Sequence, residues 1–251
     1  MIYSGNRLSF LACLLITALL VFKQETVSAH PENDSIPKTT LIINPRINST
    51  GYFPFTGAYI NNHINADVNV FYDRRAWGFF IFKSYDFVDP HSIVNYLQPG
   101  IFKNINISPK LKVRAFFGYL FGQTNDFKDG DSDYYTAATV YWDITSRVRL
   151  EHTALFYDLT ISTKMANRLF VSYALKYFKF DLYVWDRYAM ESGSNSVSAS
   201  VAVNFPKIKL SERLLIQNTL SYQSYLTEEK PEWAMRNGFL FQIAFPLTVK
   251  P

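Results

Sequence analysis

From residue 51 onward, apolar and polar side chains alternate in runs of about ten residues, bounded by turn-forming residues. In LKVRAFFGYLF, Leu111, Val113, Ala115, Phe117, Tyr119 and Phe121 share one face, with Lys112, Arg114 and Gly118 on the other. SVSASVAVNF sets Val197, Ala199, Val201, Val203 and Phe205 against Ser196, Ser198, Ser200 and Asn204. MRNGFLFQIAF sets Phe239, Phe241, Ile243 and Phe245 against Gly238, Gln242 and Ala244. Period two is the signature of a strand, whose successive side chains point to opposite faces. Soluble strands average about five or six residues, whereas about ten suffice to cross a hydrocarbon layer at a tilt. No apolar run after residue 30 reaches the length of a spanning helix. In a bilayer, such a chain can therefore exist only as a closed barrel, because an open sheet edge leaves backbone groups unsatisfied.

Strands are expected near 52–60, 65–73, 76–87, 92–107, 111–122, 132–143, 146–157, 168–177, 179–188, 196–205, 212–224 and 235–249. The connections sort into tight ones (Asp73 to Arg75, Ser108 to Lys110, Thr145, Phe178, Pro206 to Ser211) and longer polar ones (122–132, 159–167, 189–195, 226–233). From residue 105 the two kinds alternate, as expected of an outer-membrane barrel with short periplasmic turns and longer outer loops. The fold expected is thus all-β: a single closed antiparallel barrel of about 12 strands with both termini periplasmic. The expected loops at 61–64 and 88–91 are short for the outer side.

The N-terminus reads as an export signal. Arg7 precedes the uncharged run Leu8 to Phe22, and Val27 and Ala29 supply the small residues before a cleavage point. The run falls short of the ~20 residues of a spanning helix. Residues 1–29 are expected to be the signal, 30–50 a periplasmic leader with one short strand at most (Leu41 to Ile43), and 51–251 the barrel. Cys13, the only cysteine, leaves with the signal, so no disulfide framework is available. A net charge of +4 from scattered basic residues offers no stripe for nucleic acid. Aromatic content of 17% suits strands and membrane interfaces. Trp77, Trp142 and Tyr177 beside tight turns, and Trp185, Tyr188, Tyr225 and Trp233 beside long loops, are expected to form two girdles.

The last strand carries Asn237-Gly238-Phe239-Leu240-Phe241-Gln242-Ile243. It resembles the polar–Gly–x–x–aromatic–x–hydrophobic signal of bacterial outer-membrane β-barrel proteins, porin-like but of no characterised subfamily. That resemblance implies outer-membrane lipids, lipopolysaccharide and the barrel assembly machinery as partners, with Asn237, Gly238, Phe241 and Ile243 as the assembly signal. Such proteins usually end on Phe or Trp, whereas Pro246 to Pro251 trails beyond Phe245 here.

Candidate chemistry is sparse. In RVRLEHTALFYD, Glu151, His152 and Thr153 are adjacent in sequence. On a strand, His152 faces lipid with Val148, Leu150, Ala154 and Phe156, while Arg147, Arg149, Glu151, Thr153 and Tyr157 face the lumen. Lipid A deacylase barrels use His-x-Ser on one face, but Ala154 stands where that serine would be, and a base without a nucleophile makes no triad. No catalytic residue is expected. Asp126, Asp129, Asp131 and Asp133 around Gly130 could gather oxygens for a hard cation, but Val140 occupies the closing Glu position of the calcium loop. His30, His63 and His91 have no ligand spacing, so neither a metal nor a cofactor is expected.

The remaining candidate is the lumen face itself: Lys112, Arg114, Arg147, Arg149, Arg168, Lys176, Arg187 and Arg236 with Asp67, Asp133, Glu151 and Asp181. Twelve strands lie between small filled barrels and wide porins. The lumen is expected to be either a narrow pore for small polar or anionic solutes, shaped by these charges, or a salt-bridged plug in a structural or surface-contact barrel. An outward-facing lipid hydrolase ranks third.

Overall fold

The computed structural model describes residues 39–53, 57–74, 76–122, 132–160, 162–211 and 214–249. The expected signal peptide and the carboxylates Asp126, Asp129 and Asp131 lie outside them. Among these described residues sixteen strands follow in chain order: β1 (Thr39–Asn48), β2 (Gly51–Phe53), β3 (Ala58–Asn61), β4 (Asn65–Arg74), β5 (Trp77–Asp86), β6 (Leu97–Ser108), β7 (Leu111–Leu120) and β8 (Asp133–Asp143), then β9 (Val148–Tyr157), β10 (Lys164–Ala174), β11 (Lys179–Ala189), β12 (Asn195–Asn204), β13 (Ile208–Lys209), β14 (Leu215–Tyr225), β15 (Asn237–Ala244) and β16 (Leu247–Val249).

β1, β4 to β12, β14 and β15 form a closed antiparallel barrel of twelve strands. Closure is made by β1, which pairs with β4 along its whole length and, on its other edge, with β15 at Arg46–Asn48 and β16 at Leu41–Ile43. The last strand breaks between β15 and β16 at Phe245-Pro246, where proline has no N–H for the ladder. Phe245 keeps the seam together by donating its N–H to the Pro45 carbonyl at 2.9 Å.

Two expectations are corrected at the N-terminal side. Residues 39–48 are the first barrel strand rather than leader, and Gly51–Phe53 and Ala58–Asn61 are not a wall strand but a small two-stranded sheet, β2–β3, outside the barrel ladder among the described residues. The strand total stays the same because one is gained and one lost. The exchange also resolves the short first loop, since the first long connection runs from residue 49 to 64. The connections 49–64, 87–96, 121–132, 158–163, 190–194 and 226–236 now fall at one end of the barrel, and both ends of the barrel chain fall at the other, beside the short turns and the 205–214 connection that holds β13.

The registers fix which side chains face inward. Phe80 pairs with Gly100 and Phe71, Gly100 with Gly118, Gly118 with Tyr135, and Tyr135 with Tyr157, so one parity runs continuously around the wall. The opposite parity exposes Trp77, Phe79, Ile81, Ile101, Phe117, Leu169, Leu182, Val201, Leu220, Phe239 and Phe241. These residues form an apolar belt around the outside, the pattern of a barrel whose wall faces hydrocarbon. Inside, Phe80, Phe102, Phe116, Tyr135, Ala137, Leu155 and Ala166 pack as one buried cluster, with Phe71 and Tyr157 against it. The lumen wall from β4 to β10 is therefore lined by an apolar cluster rich in aromatic rings.

Candidate functional site: a lumen narrowed by an inward hairpin

On the opposite side of the wall one strand, β12, carries small inward side chains between the larger ones of β11 and β14. β12 turns Ser196, Ser198, Ser200 and Ala202 inward, all of them buried. The recess they leave is filled by the hairpin. Tyr59 donates its N–H to Gln223 Oε1 at 3.0 Å, and its hydroxyl lies 2.6 Å from Ser221 Oγ. Its carbonyl accepts from the N–H of Met235 at 2.7 Å. Thr50 Oγ1 donates to the Phe239 carbonyl at 2.6 Å. Gly57 lies at φ 63°, and a Cβ there would stand 2.2 Å from the Trp185 ring. Both the turn and this close approach require glycine.

Below the hairpin, polar groups are tied in pairs across neighbouring strands. Arg46 Nε donates to Asp67 Oδ1 at 2.5 Å, and Asn48 Nδ2 donates to Asp67 Oδ2 at 2.7 Å. Gln242 Nε2 donates to Asn48 Oδ1 at 2.8 Å and to the Tyr52 hydroxyl at 3.2 Å. Arg114 reaches Asn104 at 2.7 Å and Asp73 at 3.3 Å, with its guanidinium 4.3 Å over the Phe102 ring. Arg168 reaches Thr153 at 3.1 Å and Glu151 at 3.6 Å. Asp181 accepts from Asn204 at 2.6 Å and lies 3.2 Å from Lys179. Burial pushes the Tyr52, Tyr59 and Tyr96 phenols up, well clear of neutral pH.

Among the described residues, several buried side-chain atoms have no protein partner: the donors Arg46 Nη2, Arg168 Nε, Trp185 Nε1 and Gln223 Nε2, the Tyr96 hydroxyl, and the acceptors Asn44 Oδ1 and Asp181 Oδ1. All belong to side chains on the inward parity or to the loop folded over it. Orphaned buried groups are uncommon, since each carries a desolvation penalty of about 1–3 kcal/mol.

Two cavities flank this layer. At the long-loop end a vestibule of about 660 Å³ is walled by Phe53, Tyr96, Tyr135, Leu155, Tyr157 and Trp233, with Lys164, Arg187, Asp133 and Asp158 among its polar groups. At the short-turn end a pocket of about 250 Å³ is lined by Asp143, Arg149, Glu151, Phe170, Ser172 and Lys179. The two share no lining residue. On β9 the vestibule takes Leu155 and Tyr157 and the pocket takes Arg149 and Glu151, leaving Thr153 between them, bonded to Thr139 at 2.8 Å.

Of the residues expected in the lumen, Arg114, Arg149, Glu151, Arg168, Asp181 and Arg187 stand on its inward parity, as do Lys112, Asp67 and Asp133. Arg147 sits on the exposed short turn before β9 and lines the pocket at that end with Arg149 and Glu151. Two placements are corrected: Lys176 sits on an exposed short turn, and Arg236 sits on an exposed long loop, donating to the Glu228 carbonyl at 2.8 Å. They flank strand ends that fall two to three residues short of the pattern's reach. Of the expected girdle, Trp77 and Trp142 are exposed on the outward parity at the short-turn end, Tyr177 is exposed in a turn, and Tyr188 is outward near the long loops. Trp185 and Tyr225 instead point into the lumen, 5% and 4% exposed, and Trp233 packs its ring edge-on to Phe53 at 5.4 Å. Asn237, Phe241 and Ile243 face outward on β15, and Gly238 faces inward.

His152 lies on the outward face between Val140 and Leu169, with Leu150 and Ala154 along its own strand. No nucleophile stands among these neighbours. Among the described residues no group of His, Cys, Asp and Glu gathers as metal ligands. The site that the sequence did not indicate is the β1–hairpin unit: Arg46, Asn48, Tyr52, Gly57 and Tyr59. The signal available was the pair Gly51 and Gly57 around aromatic residues, matched by the inward serines of β12.

No protein-family model matches the chain, and no curated protein matches it. Solved structures do. A NanC porin superposes with a TM-score of 0.56 at 10% identity, covering 82% of this chain and 98% of its own. A KdgM porin gives 0.56 at 8% identity with the same coverage. An outer-membrane channel from Pseudomonas putida F1 gives 0.50 at 9% identity, covering 90% of this chain and 100% of its own. The fold is that of a porin-like outer-membrane β-barrel. At these identities the likeness concerns architecture, and the hairpin, the vestibule and the lumen charges are read from this chain alone.

Proposed function

We propose that the protein is a passive channel of the outer membrane, inserted after export, with a lumen narrow enough to select small solutes. The supporting fold is the closed barrel shared with porins, and the observation that carries the reading is the set of orphaned donors in mid-lumen. Arg46 Nη2, Arg168 Nε, Trp185 Nε1, Gln223 Nε2 and the Tyr96 hydroxyl need acceptors when the lumen is wet, and water or a passing solute supplies them. Solutes rich in hydrogen-bonding oxygens suit such a lining, and the donors, which outnumber the orphaned inward acceptors Asn44 Oδ1 and Asp181 Oδ1, lean it toward anionic ones. The vestibule volume falls within the range of small-molecule sites, about 300–1,000 Å³, and its aromatic walls favour solutes with a flat apolar face. A KdgM porin structure holds oligogalacturonate; with the hairpin across this lumen, smaller solutes are the better fit here. Lipopolysaccharide and outer-membrane lipids are the proposed surroundings, and Asn237, Gly238, Phe241 and Ile243 the proposed assembly signal.

A second reading, a non-conducting barrel, is favoured by the hairpin and by the absence of a lining residue common to the two cavities. Ion selectivity separates them. Refolded protein in a salt gradient should give an anion-favouring reversal potential, and Arg168→Glu should move it toward cations. A leak that is unselective and unchanged by Arg168→Glu would remove the lumen from the account.

A further inference from the structure

The two ends of the barrel carry opposite charge. At the short-turn end Arg74, Lys110, Arg147, Lys176, Lys207 and Lys209 are exposed, and Lys103 holds its ammonium 5.2 Å over the Trp77 ring. The carboxylates nearest to them turn to the lumen: Asp73 toward Arg114 and Asp143 toward Arg149. Among the described residues no acidic side chain is exposed on these turns; in sequence they also contain Arg75, Glu212 and Arg213, which leave the excess positive. The long loops expose Glu191, Glu228, Glu229 and Glu232, with Arg236 the exposed base beside them, so their excess is negative.

The same turns expose apolar bulk. Ile144, Leu175, Tyr177, Phe178, Phe205, Ile208 and Leu210 all stand out from the short-turn end, Tyr177 at 61%. In water, apolar residues gathered this way are a liability. At the edge of a hydrocarbon layer they are an anchor, because aromatic and aliphatic side chains sit at the headgroup level while lysine and arginine reach the phosphates. Basic residues at that level attract anionic lipid.

We propose that this collar binds phospholipids with net-negative headgroups, phosphatidylglycerol or cardiolipin in class, in the leaflet that meets the short turns. The proposal rests on the reading of the barrel as membrane-spanning. Trp77 and Trp142 lie outward at that end and report on the contact. The full-length mature chain is refolded into phosphatidylcholine vesicles holding a fraction of brominated lipid, and tryptophan quenching is compared for brominated phosphatidylglycerol and brominated phosphatidylcholine. At low salt the anionic lipid is expected to compete about tenfold better, each charge adding up to about fivefold. The preference should fall toward unity in about 1 M salt, where the screening length is about 3 Å. It should also fall in the combined Lys110→Gln, Lys176→Gln, Lys207→Gln, Lys209→Gln variant, and persist in Glu228→Gln, Glu232→Gln.

Equal quenching by both lipids overturns the collar while leaving the spanning barrel intact. No quenching by either overturns the membrane reading itself. Should the fourfold variant fail to insert, the salt titration of the unaltered protein decides: a preference that survives high salt overturns the proposal. Equal quenching together with salt-sensitive sedimentation on isolated peptidoglycan would assign the collar to the wall polymer and overturn the lipid assignment.

Discussion

Gly57→Ala perturbs the fit of hairpin to wall at a single atom. The residue sits at φ 63°, where an L side chain costs about 1–2 kcal/mol. The added methyl would also stand 2.2 Å from Cε2 of Trp185, a side chain only 5% exposed that stacks on Tyr183 at 5.1 Å. Trp185 therefore has little room to retreat, and overpacking of this kind costs about 1–3 kcal/mol. The sum, about 2–5 kcal/mol, rivals the net worth of the hydrogen bonds that hold Thr50 and Tyr59, at about 0.5–1.5 kcal/mol each. The expected result is a barrel that stays closed while the hairpin lifts from β12. Trp185 should become wetter, with red-shifted emission read in a variant whose other tryptophans are replaced by phenylalanine, and ion flow through the lumen should rise. Trp185→Phe in the same chain should recover part of the loss, giving a coupling of about 1 kcal/mol or more. Unchanged emission, unchanged flow and a stability change within about 0.5 kcal/mol would refute the packing of the hairpin against that wall.

Two further outcomes follow from the buried polar groups. Asp67→Ala leaves Arg46, with its side chain 13% exposed, beside no carboxylate and should destabilise the barrel by about 3–5 kcal/mol in urea unfolding from detergent; a change under about 1 kcal/mol would show that the pair is wet. The phenols of Tyr52, Tyr59 and Tyr96 are pushed up by burial. Their protons are held more tightly in the folded chain than in the unfolded one, so their contribution is intact below pH ~10, the free tyrosine value, and stability falls as pH rises beyond it. A phenolate absorbance titration should show these three ionising only with unfolding; three extra early-titrating tyrosines in the folded protein would contradict the burial.

The wall from β7 to β12 was readable because each strand keeps a period-two alternation over most of its length, with exceptions such as the outward Asp186 and the inward Phe116. RVRLEHTALFYD is the clearest case: Glu151 and Thr153 face inward and His152 outward, as the pleat demands. The same parity could have placed Trp185 and Tyr225, which share faces with Asp181 and Arg187 and with Gln223. Reading their rings by nearness to loops sent them to a girdle instead. β1 was obscured by Pro45 and by the apolar pair Ile42-Ile43 within TTLIINPRIN, which blurs the alternation. The hairpin was mistaken for wall because a strand pattern reports local backbone and one buried face; whether that face meets lipid or lumen depends on partners distant in sequence, here Ser221, Gln223 and Trp185. Arg46 was lost along with β1.

On the proposed reading, residues 51–61 narrow a porin-like barrel to a selective conduit. Single-channel recording in planar bilayers tests it directly, comparing the protein with a variant in which Gly51 to Asn61 is replaced by a short glycine-serine linker. The account predicts small discrete steps for the intact chain and distinctly larger ones for the variant. No steps from the intact chain, or steps of equal size from both, would contradict it.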